Sequence, residues 1–183
     1  MLTEIEEVGK ELGVPILIKE SAVFLKQLIA LSKPKRTLEF GTGIGYSGHI
    51  ILSSGSTQLD TVEINEERIS IAGHFFTKNH FDNRVRILKG DEKEIVQALH
   101  DTYDFIFLDG AKSNYIKLLP FIKKILNKGG ILLADNILFK KAADKHKTIL
   151  KNLNLFLNEL QNESEWLTSV IDIGDGLSLS IKL

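Results

Sequence analysis

Arg36-Thr37-Leu38-Glu39-Phe40-Gly41-Thr42-Gly43-Ile44-Gly45-Tyr46-Ser47 begins as a short extended run and breaks into three alternating glycines. A helical pattern follows through about Ser53. Glycines between a strand and its helix let the backbone approach a ligand that the helix N-terminus then faces. The same glycines would also serve a tight turn that holds nothing. Two details favour a ligand: the spacing is Gly-x-Gly-x-Gly rather than Gly-x-Gly-x-x-Gly, and the carboxylate of Glu39 precedes it within the strand. Both fit a nucleoside with an amino-acid tail better than a dinucleotide pyrophosphate.

The rhythm set by this stretch continues downstream. Leu59–Glu63, Val85–Lys89, Tyr103–Asp109 and Ile131–Asp135 read as strands. Between them lie helical patterns: one with Ile69, Ala72, Gly73 and Phe76 on a face, one over Ile95–Leu99, and one from Ser113 to Leu126. In the last of these, Pro120 marks a kink or a restart and Gly129-Gly130 reads as the cap. Ala142 to Gln161 predicts an amphipathic helix with the stripe Ile149, Leu153, Phe156, Leu157 and Leu160. Leu167–Ile173, the turn Gly174-Asp175-Gly176 and the alternating Leu177–Leu183 read as a hairpin. Upstream, residues 2–12 and 20–32 predict two helices, the second apolar at Val23, Phe24, Leu28 and Ile29 and closed by Lys33-Pro34. Nearly all-apolar strands alternating with helices predict a mostly parallel sheet covered on both faces. The class is α/β, a doubly wound sheet of seven strands ending in an antiparallel β-hairpin.

The chain has 183 residues, 43% of them hydrophobic, enough for one domain with a core of its own; residues 1–33 form a short helical extension of it. Lys and Arg number 23 against 24 Asp and Glu, so the net charge of −1 argues against a chain-wide binder of polyanions. The absence of cysteine excludes disulfides, thiolate zinc sites, iron–sulfur clusters and cysteine nucleophiles. The acidic start Met1-Leu2-Thr3-Glu4 lacks the parts of a signal peptide, and no apolar run approaches the roughly 18 residues of a spanning helix. A cytoplasmic protein without a membrane partner is the expectation.

Chemistry concentrates where strands end. Glu63 closes the second strand of the alternating unit, about 20 residues past the glycines, where an acid accepts both hydroxyls of a ribose. It is followed by Glu66 and Glu67, so a helix-start acid is the plainer alternative. Asp91 follows the third strand and serves equally as an adenine contact or a helix N-cap. Asp109 ends the fourth strand, and Asp135-Asn136 ends the fifth. Two carboxylates and an amide on one rim, with no histidine, suit Mg2+ or a related divalent ion completed by water and substrate. Lys112, three residues after Asp109, is near enough to take a proton from a substrate hydroxyl, although a solvated lysine is the simpler reading. The five histidines show neither metal-ligand spacing nor a nucleophilic motif.

Together these segments resemble the class I S-adenosylmethionine-dependent O-methyltransferases. The resemblance is closer to the cation-dependent branch with catechol and caffeoyl-CoA O-methyltransferases and small bacterial members. It spans about residues 14 to 183 and rests on six segments in order: Val14-Pro15-Ile16, Leu38 to Ser47, Val62-Glu63-Ile64-Asn65, Phe107 to Lys112, Leu133-Ala134-Asp135-Asn136 and Ile173 to Leu177. The resemblance implies a Rossmann-like methyltransferase fold. It further implies that Glu39, Gly41 and Gly43 line the methionine end of S-adenosylmethionine and that Ser47 holds its carboxylate. Glu63 would bind the ribose, Asp91 would stand near the adenine, and Asp109 would lie close to the amino group. Asp109, Asp135 and Asn136 match the family's metal triad, with Mg2+ or another divalent cation, and Lys112 matches its catalytic base. The chain departs from the family at Gly110-Ala111, where relatives often carry Ala-Asp or Ala-Ala. In relatives the N-terminal region joins a homodimer contact and covers the acceptor, which the resemblance extends to the shorter region here.

The acceptor is either a small catechol-like molecule or tRNA. Lys140, Lys141, Lys145, Lys147 and Lys151 follow the triad, a run that is a solvated helix face or a phosphate-tracking patch. Some small bacterial relatives methylate hydroxylated uridine in tRNA, which would present the base flipped or single-stranded. A phenolic acceptor calls instead for an apolar wall, to which Phe139 and Trp166 could contribute, with edge-strand core as the other reading of Trp166. Two other classes are weaker. A nicotinamide-dependent oxidoreductase requires a substrate domain for which no chain remains. An S-adenosylmethionine-binding protein without catalysis has no need of the triad or Lys112.

Overall fold

A computed structural model describes residues 2–138 and 147–183. Helices α1 (Leu2–Leu12) and α2 (Lys19–Ser32) precede β1 (Arg36–Phe40), α3 (Tyr46–Ser54), β2 (Gln58–Glu63), α4 (Glu66–Lys78) and β3 (Val85–Lys89). Then come α5 (Glu92–Ala98), β4 (Tyr103–Leu108), a 3-10 turn at Lys112–Asn114, α6 (Tyr115–Ile125), β5 (Leu126–Asp135), α7 (Lys147–Asn162), β6 (Trp166–Ile171) and β7 (Leu177–Lys182).

The sheet order is β3-β2-β1-β4-β5-β7-β6. Strands β1 to β5 are parallel, and β7 runs antiparallel to both β5 and β6. The chain starts in the middle, steps outward to β3, then crosses back to place β4 on the other side of β1. Connections after β1 and β4 therefore leave in opposite directions, and the crevice between them is where an open α/β sheet binds ligands. Backbone bonds close its floor: Gly41 and Thr42 N–H donate to the Val62 carbonyl at 3.0 and 3.1 Å, and Asp109 N–H donates to Phe40 at 2.9 Å.

Alternation along the strands divides the core. Leu38, Phe40, Ile106, Leu108, Leu132 and Ala134 face α5, α6 and α7, in a cluster with Tyr115, Leu118, Phe156 and Leu160. On the other face Leu59, Phe105, Phe107 and Leu133 meet α1 to α4 through Ile5, Leu25, Ile29, Ile51 and Phe76. Each buried Leu, Ile or Phe among them stabilises the fold by about 1.5–3 kcal/mol. At the amino end of the strands, away from the crevice, buried Asp60 accepts from Arg86 (2.8 Å), Arg36 (3.0 Å) and Tyr103 (2.7 Å). That network fastens β1, β2, β3 and β4 where no ligand is expected.

Several sequence expectations need correction. Gly129-Gly130 does not cap a helix. Helix α6 stops at Ile125, the Leu126 N–H donates to Ile122, and the glycines lie in an irregularity inside β5. There the pairing jumps from Tyr103↔Leu126 to Phe105↔Ile131, so residues 127–130 bulge from the ladder. Helix α6 runs through exposed Pro120 without a restart. Helix α5 begins three residues earlier than its apolar pattern because the Asp91 side chain accepts the Lys93 N–H at 2.8 Å. In α2 the buried stripe is Ala22, Leu25 and Ile29, and Val23 faces out. Of the two readings of Trp166, the structure shows edge-strand core. The predicted start of α7 at Ala142, together with Phe139, Lys140, Lys141 and Lys145, lies outside the described residues.

Candidate active site

A cleft of about 670 Å3 opens at the carboxyl ends of the central strands. Its walls include Gly41, Gly43, Glu63, Asp91, Asp109, Lys112, Asp135 and Asn136, so eight of the sequence-predicted site residues meet in one place. They come from the ends of β1, β2, β3, β4 and β5, which only the parallel register aligns.

The other two, Glu39 and Ser47, lie beneath the floor. Glu39 is fully buried and accepts the Ser47 hydroxyl at 2.5 Å and the Thr61 hydroxyl at 2.6 Å. Thr42 and Thr61 hydroxyls are 2.6 Å apart, which extends this chain of bonds under the glycine turn. Burial pushes the Glu39 carboxyl up to about 7, against the help of both hydroxyls. The native protein then keeps a proton there to about pH 7, while the unfolded chain loses it near its ordinary 4.5. More protons bind the native state in that window, so stability falls as pH rises through it, by on the order of 2 kcal/mol. Urea unfolding of the wild type and Glu39→Gln at about pH 5 and about pH 7.5 checks this, because the variant should lose most of the slope. An unchanged slope would assign it elsewhere.

Glu63 is 7% exposed and accepts three backbone N–H groups: Gly43 at 3.0 Å through Oε2, and Ile64 and Asn65 at 2.9 Å through Oε1. Its carboxylate links the glycine turn of β1 to the end of β2. Gly41 packs tightest in the turn: a Cβ there would lie 2.6 Å from the Asp109 carbonyl oxygen. Asp91 is the N-cap of α5 and also lines the cleft.

At the far rim Lys112 Nζ donates to Asp109 Oδ1 at 2.8 Å. Asp135 is 5% exposed and its Oδ1 has no hydrogen-bond partner among the described residues. Burial, then the charge of Asp109, pushes the Asp135 carboxyl up to about 6. An unpartnered buried carboxylate oxygen beside a second carboxylate is costly, and a divalent cation with oxygen ligands would remove that cost. Among the described residues no three His, Cys, Asp or Glu cluster as a metal site, so an ion bound here would also need a donor such as the amide of Asn136. Asn136 holds φ 57°, a backbone region in which asparagine is enriched.

Sequence reasoning missed Glu92, Asn114, Arg68 and Asp175 in the lining, and it did not assign the cleft wall formed by Val14 to Ile18. Asp175 arrives because the Leu138 N–H donates to its carbonyl at 2.9 Å, folding the hairpin turn over the end of β5. Nothing in local spacing signals that contact. The lining carries Glu63, Asp91, Glu92, Asp109, Asp135 and Asp175 against Arg68 and Lys112, an acidic surface suited to cationic ligands.

Comparison with known proteins adds the lineage. The family model described as O-methyltransferase matches residues 2–183. Tapetum-specific methyltransferase 1 of Arabidopsis thaliana is 25% identical over 187 residues, covering 94% of this chain and 79% of its own. A solved structure from Staphylococcus aureus, provisionally named a caffeoyl-CoA O-methyltransferase, is 29% identical with a TM-score of 0.90, covering 100% of this chain and 92% of that one. An O-methyltransferase from Bacillus cereus solved with S-adenosylhomocysteine shares the fold at a TM-score of 0.90 and 19% identity, covering 100% and 90% of the two chains.

Proposed function

This chain belongs to the O-methyltransferase family, and from that premise we propose that it moves a methyl group from S-adenosylmethionine to an acceptor hydroxyl beside a divalent cation. The observation that carries the reading is the meeting, in one acidic cleft, of the glycine turn with Glu63 and the rim of Asp109, Asp135 and Asn136. S-adenosylmethionine, when bound, supplies an electrophilic methyl group on a sulfonium. The glycine turn gives its backbone room, Glu63 offers carboxylate oxygens to a ribose, and the acidic walls suit a ligand with sulfonium and ammonium charges. Asp109, Asp135 and Asn136 would hold the cation, which when bound favours the ionised form of an acceptor hydroxyl.

Lys112 takes the acceptor proton in this scheme. Its Nζ lies 2.8 Å from Asp109 Oδ1. A cation held by Asp109 would compete for that carboxylate, and the lysine would accept the proton only as the neutral amine, its own proton having passed to solvent. The remaining walls position the hydroxyl for in-line displacement. A small catechol-like acceptor fits the reading best, because six acids in the lining repel a phosphate backbone. Lys147 and Lys151 on α7 favour hydroxylated uridine of tRNA as the second reading.

Calorimetry with S-adenosylmethionine, then methyl transfer to catechol and to undermodified tRNA with and without Mg2+, tests the proposal. Binding of the methyl donor followed by Mg2+-dependent transfer to one acceptor is expected; absence of binding would sink the reading. Affinity unaltered in Glu63→Ala would remove that residue from the site. Lys112→Ala should lower kcat about a hundredfold while S-adenosylhomocysteine affinity stays put. A wild-type rate in that variant would end its assignment as base.

A further inference from the structure

Glu92 begins α5, yet its side chain is engaged across the cleft wall with the turn that follows β4. Its Oε1 accepts from Asn114 Nδ2 at 2.7 Å. A Cβ built on Gly110 would lie 2.1 Å from Glu92 Oε2, so the carboxylate fills the volume any side chain at position 110 would need. The turn it grips is closed by the Asn114 N–H on the Ala111 carbonyl at 2.8 Å. Asp109 and Lys112, paired with each other, sit on this same turn. An acid in the first turn of a helix ordinarily serves the helix dipole in solvent. Here its oxygens are spent on another element.

We propose that Glu92 is a positioning residue that clamps residues 110–114 and so fixes where Asp109 and Lys112 stand, with Gly110 present to admit its carboxylate. The clamp is a property of the fold; its effect on catalysis rests on the methyl-transfer reading above. Glycine at 110 and glutamate at 92 then form one unit. A methyl group at 110 expels the carboxylate, and loss of the carboxylate frees the turn, so either change alone removes the same hydrogen bond to Asn114.

Hydrogen exchange of the ligand-free protein tests this for the wild type, Glu92→Ala, Glu92→Gln, Gly110→Ala and the double variant Glu92→Ala/Gly110→Ala. Exchange across 110–114 should speed up about tenfold in Glu92→Ala and in Gly110→Ala, while β1 and β5 keep their protection. The double variant should exchange no faster than either single one. Glu92→Gln, which keeps an acceptor for Asn114, should recover most of the protection and also guards against misfolding of the alanine variant. Unchanged exchange in Glu92→Ala, or effects that multiply in the double variant, would overturn the clamp. Where the wild type transfers methyl groups, Glu92→Ala should lower kcat about tenfold with S-adenosylhomocysteine affinity within about threefold. A loss of affinity as large as the loss of kcat would make Glu92 a ligand contact instead. Exchange decides the clamp even if no acceptor is methylated, so the two readings fail separately.

Discussion

Asp135→Ala should lower methyl transfer about a thousandfold, and a chelator should do the same to the wild-type chain. The reason lies in the Oδ1 of Asp135, buried without a hydrogen-bond partner among the described residues and next to the charge of Asp109. A carboxylate kept in that position costs stability unless a cation uses it. Activity and stability should therefore move in opposite directions. The Asp135 carboxyl is pushed up to about 6, from an ordinary 3.8, so the native protein binds the extra proton between those values. Stability is lost as pH rises through that window, and at pH 7 the metal-free native state carries an ionised group at a cost. Asp135→Asn should then raise the metal-free urea midpoint at pH 7, by on the order of 2 kcal/mol in stability, and change little at pH 4. A variant that is more stable and inactive is the expected signature of a ligand-binding carboxylate. An Asp135→Asn protein that transfers methyl groups at the wild-type rate in EDTA would remove both the residue and the cation from the mechanism.

Gly41→Ala is expected to destabilise the fold by about 3 kcal/mol and to abolish binding of S-adenosylhomocysteine. Two costs add. Gly41 holds φ 98°, which strains any other residue, and its Cβ would meet backbone atoms of Asp109 at 2.6 and 2.9 Å. Backbone cannot swing aside as a side chain can. The strands β1 and β4 would have to part at the point where the cleft is formed. Gly43→Ala is the control: its φ is 52°, and nothing among the described residues stands within 4 Å of its Cβ, so about 1 kcal/mol is expected. Chemical unfolding separates the two. Equal midpoints for Gly41→Ala and Gly43→Ala would show that the contact with Asp109 does not limit the substitution.

The parts of this molecule that were legible beforehand are those carried by short-range pattern. Strands with nearly unbroken apolar runs, such as Tyr103–Leu108, cannot lie on a surface, and their alternation with helices leaves a doubly wound sheet as the simplest packing. Errors fell where a local signal was overruled by pairing. Gly129-Gly130 looks like a helix cap, but the demand to complete the β4–β5 ladder begins the strand at Leu126 and pushes the glycines into a bulge. Val23 looks like core by composition, yet α2 buries the stripe of Ala22, Leu25 and Ile29 because helix rotation is set by the neighbours it packs on.

The site divides the same way. Gly41, Gly43, Glu63, Asp91, Asp109, Asp135 and Asn136 were legible because a parallel sheet brings the carboxyl ends of its strands to one edge, so residues at those ends converge whatever their separation in sequence. Topology alone assembles them. What the sequence could not determine is the state of each group once assembled. Glu39 is buried under the turn and engaged by two hydroxyls, Asp135 keeps an oxygen unpartnered among the described residues, and Glu92 crosses to a turn that lacks a side chain at Gly110. Those outcomes depend on distances of a few ångströms between side chains from different elements, and burial and hydrogen bonding act only over that range.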